Sequence, residues 1–300
     1  MNAQIGALAA VATAMFWSAT STFFTIAGRE VGSVVVNRSR LLLASLFLLT
    51  THWVITGQPL PLDARLDQWF WLALSGFIGF VLGDAFLFQA FVWIGPRISM
   101  LMMSLAPVIA AVVSWFALNE QLSLTQILGI IVTISGVMVV MLDRRGQAAT
   151  VENKDYFRGV LFGLGAASGQ ALGLIASKFG LSDGFSALSG NTIRVITATL
   201  IMWLLALLTR QGKPTISALR TARKARFAIL GGTIFGPFLG VWLSLIAIQN
   251  APVGIASTLM GLSPIFLVPV GRILFREIFT WRTVAGTLTA IGGVALLFLT

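Results

Sequence analysis

Residues 79–107 read GFVLGDAFLFQAFVWIGPRISMLMMSLAP, and residues 236–264 read GPFLGVWLSLIAIQNAPVGIASTLMGLSP. Aligned without a gap at a shift of 157 positions, Gly79, Leu82, Gly83, Ala90, Ile98, Met103, Leu105 and Pro107 fall on Gly236, Leu239, Gly240, Ala247, Ile255, Met260, Leu262 and Pro264. The register continues through Glu120, Gly129 and Gly136, which meet Glu277, Gly286 and Gly293. A chain that writes one pattern twice is built from two copies of one unit.

Composition says what solvent that unit lives in. The 300 residues are 57% hydrophobic and 10% charged, with a mean hydropathy of +0.93. A soluble domain carries about 25% charged residues, and no core of this size absorbs so much apolar surface, so the expected solvent is a lipid bilayer. The absence of cysteine excludes disulfides, thiolate metal sites and cysteine nucleophiles. The net charge of +10 is spread between apolar runs rather than gathered on one polar face. It therefore reads as membrane anchoring and orientation, with no nucleic-acid partner.

Ten apolar segments follow one another, at 4–27, 35–56, 68–93, 97–118, 124–142, 158–180, 188–209, 226–248, 252–275 and 281–299. Each is close to the ~20 residues that cross a ~30 Å hydrocarbon layer as a helix. The runs are continuous rather than alternating, which disfavours barrel strands. The first segment is too long for a signal-peptide core, follows no basic residue and has no convincing cleavage site. Short links at Ile94-Gly95-Pro96, Asn119 to Ser123 and Gln249 to Pro252 predict antiparallel neighbours.

The polar stretch 143–157 reads as a linker between two five-span halves, 1–142 and 158–300. The repeat also reaches the earlier spans: Gly6 corresponds to Gly159, and Arg40-x3-Ala44 to Arg194-x3-Ala198. Five is odd, so the second copy enters the membrane from the opposite side. The expected fold is all-α and integral to the membrane, with ten transmembrane helices in two inverted five-helix repeats around a central cavity. Such inverted repeats are the usual frame of alternating-access transporters, with the site at the repeat interface near midplane. The loops between spans 1–2, 3–4, 5–6, 7–8 and 9–10, with adjoining helix ends, hold 17 of the 20 Lys and Arg residues. The positive-inside rule then places those loops in the cytoplasm and both termini outside.

Asp84 is the acidic residue set deepest in a span, where a carboxylate costs at least ~2.5 kcal/mol unless paired, protonated or wetted. It reads either as a substrate-amine or proton-coupling group or as a carboxylate hydrogen-bonded within the bundle. Its counterpart is Val241, so any role is asymmetric. Phe80, Asp84, Phe88 and Phe91 share a face of span 3, Trp17 and Ser21 one of span 1, and Gln170 and Ser177 one of span 6. Met100 and Met103 face together in span 4, while Trp242, Ser244, Ser257 and Met260 add polar and adaptable groups to spans 8 and 9. Singly each suits packing; as a set they predict a substrate cavity of mixed polarity.

Gly79-x3-Gly83 and Gly236-x3-Gly240 suit close helix approach or bending, and Pro107, Pro237 and Pro264 interrupt backbone hydrogen bonding. Glu120 and Glu277 read as helix-start charges, Arg272 and Lys178 as snorkelling cations. No phosphate-binding glycine loop, metal cluster, nucleophile elbow or HExxH occurs, so neither a cofactor, a metal nor an enzymatic activity is expected.

Several features together resemble a known family. They are ten spans in two halves, Arg40 and Arg194 opening spans 2 and 7, Ala-Pro107 and Ser-Pro264 in the fourth span of each half, and the Glu120 and Glu277 turns followed by Gln126-x2-Gly129 and Val284-Ala-Gly286. The chain resembles the drug/metabolite transporter superfamily, in its EamA-type bacterial members, over essentially its whole length. The resemblance implies a basket-shaped bundle with a cavity lined by spans 1, 3, 4, 6, 8 and 9, and with spans 5 and 10 at the edge. It implies a multi-pass inner-membrane exporter of metabolites, and within the family the aromatic-lined cavity is most similar to YddG-type amino-acid exporters. It also implies cytoplasmic termini, opposite to the loop charges.

The reading that combines these features is secondary export of small metabolites, amino acids with aromatic ones included, by a protein that functions as a monomer in the lipid bilayer. Export of drugs, nucleobases or sugar conjugates is the alternative within the family, and a lipid-modifying enzyme or scaffold the alternative outside it.

Overall fold

A computed structural model describes residues 3–118, 123–142, 153–181, 184–250, 259–274 and 280–296. Among these residues the chain is helical apart from short connections. The helices are α1 Ala3–Val31, α2 Ser33–Thr56, α3 Leu66–Gly76, α4 Asp84–Met103, α5 Ala106–Leu118, α6 Leu124–Leu142 and α7 Asn153–Gly180. They continue with α8 Ala187–Leu208, α9 Gly212–Thr221, α10 Arg223–Thr233, α11 Leu239–Asn250, α12 Ser263–Leu274 and α13 Trp281–Leu296. Two π-helical segments, Phe77–Gly83 and Ile234–Phe238, join α3 to α4 and α10 to α11.

Six runs are long and apolar enough to cross a membrane: Gln4–Val31, Ser33–Thr56, Leu66–Met103, Lys154–Ser177, Ala187–Leu208 and Arg223–Ser244. Leu124–Val140 and Ser263–Leu274 are shorter apolar helices. The 38 residues of Leu66–Met103 would rise about 57 Å as one straight helix, nearly twice a hydrocarbon layer. They do not run straight. Gly95 adopts φ 78° and ψ 167°, a conformation open to glycine, and Pro96 restarts the helix behind it. The turn expected at Ile94-Gly95-Pro96 is this break.

Packing pairs equivalent elements of the two copies. Helix α1 lies against α10 and α11, while its counterpart α7 lies against α3, the first π segment and α4. Helices α2 and α8, which are counterparts, pack on each other, and so do α6 and α13. Contacts of one copy thus recur with the roles exchanged, as a pseudo-twofold relation requires.

Glycines let the closest of these approaches happen. A Cβ on Gly136 would overlap the backbone of Ala290 and Gly286, and one on Gly293 the backbone of Thr133 and Gly129. The glycines repeated in the sequence are therefore the surfaces on which α6 and α13 meet, since small residues are what let membrane helices touch backbone to backbone. Likewise Gly79 and Gly83 face Gly173 and Gly169 of α7. Their counterparts Gly236 and Gly240 lie under Thr20 and Trp17 of α1. Of the two roles the sequence allows these glycine pairs, close approach and bending, the packing one is seen here, against the other copy's first helix.

Pro107 and Pro264 stand at the second position of α5 and α12, directly after breaks at 104–105 and 261–262. In a first turn the missing N–H has no intrahelical partner to lose, so these prolines start helices rather than kink them. Ser263 Oγ donates to the carbonyls of Met260 and Ala14, and Ser18 Oγ donates to the carbonyl of Ser263 at 2.8 Å, which fastens the start of α12 to α1.

Candidate functional site

The two π-helical segments organise the site. In each, an amide reaches five residues back rather than four: Asp84 to the Gly79 carbonyl and Leu239 to that of Ile234. The wider turn leaves carbonyls without their usual partner, a cost of about 1–3 kcal/mol each if buried and unmet. Side chains of the second span of each copy meet them. Asn37 Nδ2 donates to the Phe80 carbonyl at 3.1 Å, and Asn191 Nδ2 to the Pro237 carbonyl at 3.2 Å. Asn37 and Asn191 are counterparts, as are Phe80 and Pro237. The pattern Asn37-x2-Arg40 recurs as Asn191-x2-Arg194, a signal the arginine spacing alone does not exploit.

From the same turn of α2, Arg40 Nε donates to Asn37 Oδ1 at 3.0 Å, and Arg40 Nη2 pairs with Asp84 Oδ2. The Arg40 guanidinium lies 4.8 Å from the ring centre of Phe88, 5.6 Å from Phe80 and 5.9 Å from Phe24. Burying charge in a bilayer interior requires such a partner and such a polarisable wall. The guanidinium of Arg194 also stands by the Phe80 ring, at 4.7 Å from its centre. It reaches this place because a Cβ at Gly76 would strike the Arg194 backbone carbonyl and none is there.

Beside this cluster is a cavity of about 100 Å³. Its walls bring together eight predicted substrate residues: Trp17 and Ser21 from α1, Phe80 from the π segment, Asp84, Phe88, Met100 and Met103 from α4, and Gln170 from α7. Pro237, predicted as a hinge, also lines it, with Gly236. Further walls are Thr20, Phe24, Arg40, Leu87, Phe91 and Val241. Arg40 had stood out in the sequence only as a repeat marker, and Val241 only as the counterpart of Asp84. A volume of this size is below the ~300–1,000 Å³ typical of ligand pockets. The cavity walls include the side chains able to retract, the two methionines and Trp17.

Three predicted residues lie elsewhere. Trp242 packs with Phe238 at 6.3 Å between ring centres, and Ser244 Oγ turns back onto the Val241 carbonyl at 2.6 Å. Met260 is buried with Ala9, Ala10 and Ala247. Ser257, Glu120 and Glu277 lie outside the described residues. At the end of α1 a second, open depression of about 490 Å³ is lined by Ile26, Arg29, Glu30, Lys224 and Leu274. It lies one to two helical turns beyond Phe24, on the face that carries the basic loops.

The comparisons with known proteins agree with this architecture. No curated protein matches the sequence. Among the solved structures that resemble the fold is a crystal structure with a TM-score of 0.67 over 97% of this chain and 95% of that one. The identity between the two is 15%, a likeness of fold alone. The model of the EamA-like transporter family matches twice, over residues 4–142 and 157–299. With its two copies so matched, the chain belongs to the EamA-like transporter family and is a multi-pass membrane protein.

Proposed function

We propose that the protein exports small amphipathic metabolites, foremost amino acids including aromatic ones, across a bacterial inner membrane by alternating access. In this reading ten spans form two oppositely inserted five-span repeats, 1–142 and 158–300 joined by 143–157, and one monomer transports. The hairpins of spans 3–4 and 8–9 rock about the π-helical segments Phe77–Gly83 and Ile234–Phe238, while the cavity between them opens to one side at a time. The observation that carries the reading is a cavity walled by residues of both copies, aromatic and methionine-rich on one side and charged at Arg40 and Asp84 on the other. Such a wall matches a solute with an apolar body and a polar head.

Counterflow in proteoliposomes tests it. Vesicles loaded with unlabelled phenylalanine, tryptophan or threonine take up the labelled amino acid within seconds, and vesicles with a Trp17→Ala, Asp84→Asn protein do so slowly. Full-rate uptake by that double variant sinks the assignment of the cavity.

A further inference from the structure

The buried charges beside the cavity do not balance. Arg40 and Arg194 hold counterpart positions on α2 and α8 and are 3% and 6% exposed. Among the described residues Asp84 is the one carboxylate set between them, and it is paired with Arg40. Where the second copy would carry its own acid stands Val241, on the cavity wall. The two arginines also differ in how they are held. Arg40 Nε is bonded to Asn37 Oδ1, but among the described residues neither Arg194 Nε nor Asn191 Oδ1 has a hydrogen-bond partner. One copy has a complete clamp of asparagine, arginine and carboxylate; the other has the asparagine and the arginine only. A buried guanidinium that must share another arginine's counter-ion is costly in a low-dielectric interior, and intramembrane charges of this kind mark substrate or ion pathways.

We propose that the transported molecule supplies the missing charge: its carboxylate binds within the Arg40–Arg194 pair, so that two guanidinium groups face Asp84 and the substrate's own anion. The inference rests on the transporter reading above and names the head group that the site selects. Arg40 lines the cavity, so an entering carboxylate meets its planar fork first, where bidentate pairing is strongest. Asp84 then turns to Arg194, which shares the Phe80 ring with Arg40, and the set becomes neutral. A free amine at the same place would add a third positive charge to an already positive pole. The amine of an amino acid therefore points away from the arginines, toward Ser21 and Gln170, and a substrate lacking the acid is rejected.

Tryptophan-fluorescence titration and thermal melts of the purified protein test this with L-phenylalanine, 3-phenylpropionate, L-phenylalaninamide and 2-phenylethylamine. The two acids bind and raise the melting temperature; the amide and the amine bind about 30-fold more weakly or less. Val241→Asp supplies the absent carboxylate from the protein, so it folds with a melting temperature at least that of the wild type and loses the acids by a similar factor. Val241→Asn, without the charge, keeps them. Binding of the amide or amine within about threefold of the acid overturns the proposal, and so does a folded Val241→Asp protein that binds acids as the wild type does. If none of the four compounds binds, the aromatic amino-acid reading falls, and formate, acetate and inorganic phosphate decide the anion. Stabilisation of the wild type but not of Val241→Asp by any of them upholds the site; no stabilisation by any overturns it.

Discussion

Asn37 donates its amide to the carbonyl of Phe80, and its counterpart Asn191 does the same for Pro237, so each second span holds open the widened turn of the third span in its own copy. The two asparagines do unequal work, because Asn37 also accepts from Arg40 while Asn191 Oδ1 has no partner among the described residues. Replacing Asn37 by Leu strands a carbonyl and an arginine donor, for a loss of about 1–3 kcal/mol per group. Asn191→Leu strands one carbonyl only. Thermal melts in detergent should rank the wild type above Asn191→Leu and that above Asn37→Leu, and the reverse order would rule out this asymmetry.

The Arg40–Asp84 pair is expected to behave as a unit. Removing one partner leaves an uncompensated buried charge, at a cost of about 3–5 kcal/mol. Arg40→Met and Asp84→Asn should each lower the melting temperature sharply, and the double variant should lose clearly less than the two together. Additive losses would mean that the pair contributes no coupling.

Gly136 and Gly293 are backbone contact points between α6 and α13, whereas Gly292 has open space where its Cβ would be. Leu at either contact point must push the helices apart and should abolish the monodisperse peak on size exclusion. Gly292→Ala keeps the monodisperse peak and gains at most the ~1 kcal/mol that helix propensity provides in its favour.

Trp17 both lines the cavity and covers Gly240. Its replacement by Ala removes an apolar wall, so the KM for aromatic amino acids should rise about 10-fold, or ~1.4 kcal/mol, with a smaller change for threonine. Equal effects on all substrates would point to packing alone.

The chain has no cysteine, which makes single-cysteine labelling clean. Lys224 lies in the open depression on the basic-loop face. By the positive-inside rule that face is cytoplasmic, so Lys224→Cys should react with a membrane-impermeant maleimide in inverted vesicles and not in intact spheroplasts. Labelling in spheroplasts would instead place the termini inside, as the family resemblance implies.

Much of this was legible in the chain. The repeat at a shift of 157 residues, the breaks at Gly95-Pro96 and before Pro107 and Pro264, and the shared face of Phe80, Asp84 and Phe88 are local properties of spacing and backbone chemistry. Eight of the predicted substrate residues meet at one cavity for that reason, since they lie on faces fixed by helix periodicity. Trp242, Ser244 and Met260 carry the same residue chemistry but turn into neighbouring packing. One span's spacing does not reveal which neighbour will occupy a face.

The sequence by itself determined two copies of one apolar helical unit, because hydropathy, glycine spacing and a recurring Arg-x3-Ala are written in one dimension. What the tertiary structure decided is who pairs with whom. The glycine pairs of the third and eighth spans seat the other copy's first helix. Asp84, alone in its span, finds Arg40 from another helix, and Arg194 from the other copy comes up to the Phe80 ring. Those pairings depend on helices distant in sequence approaching closely, and the energy that selects them is the cost of leaving a charge or a carbonyl unmet in an apolar interior.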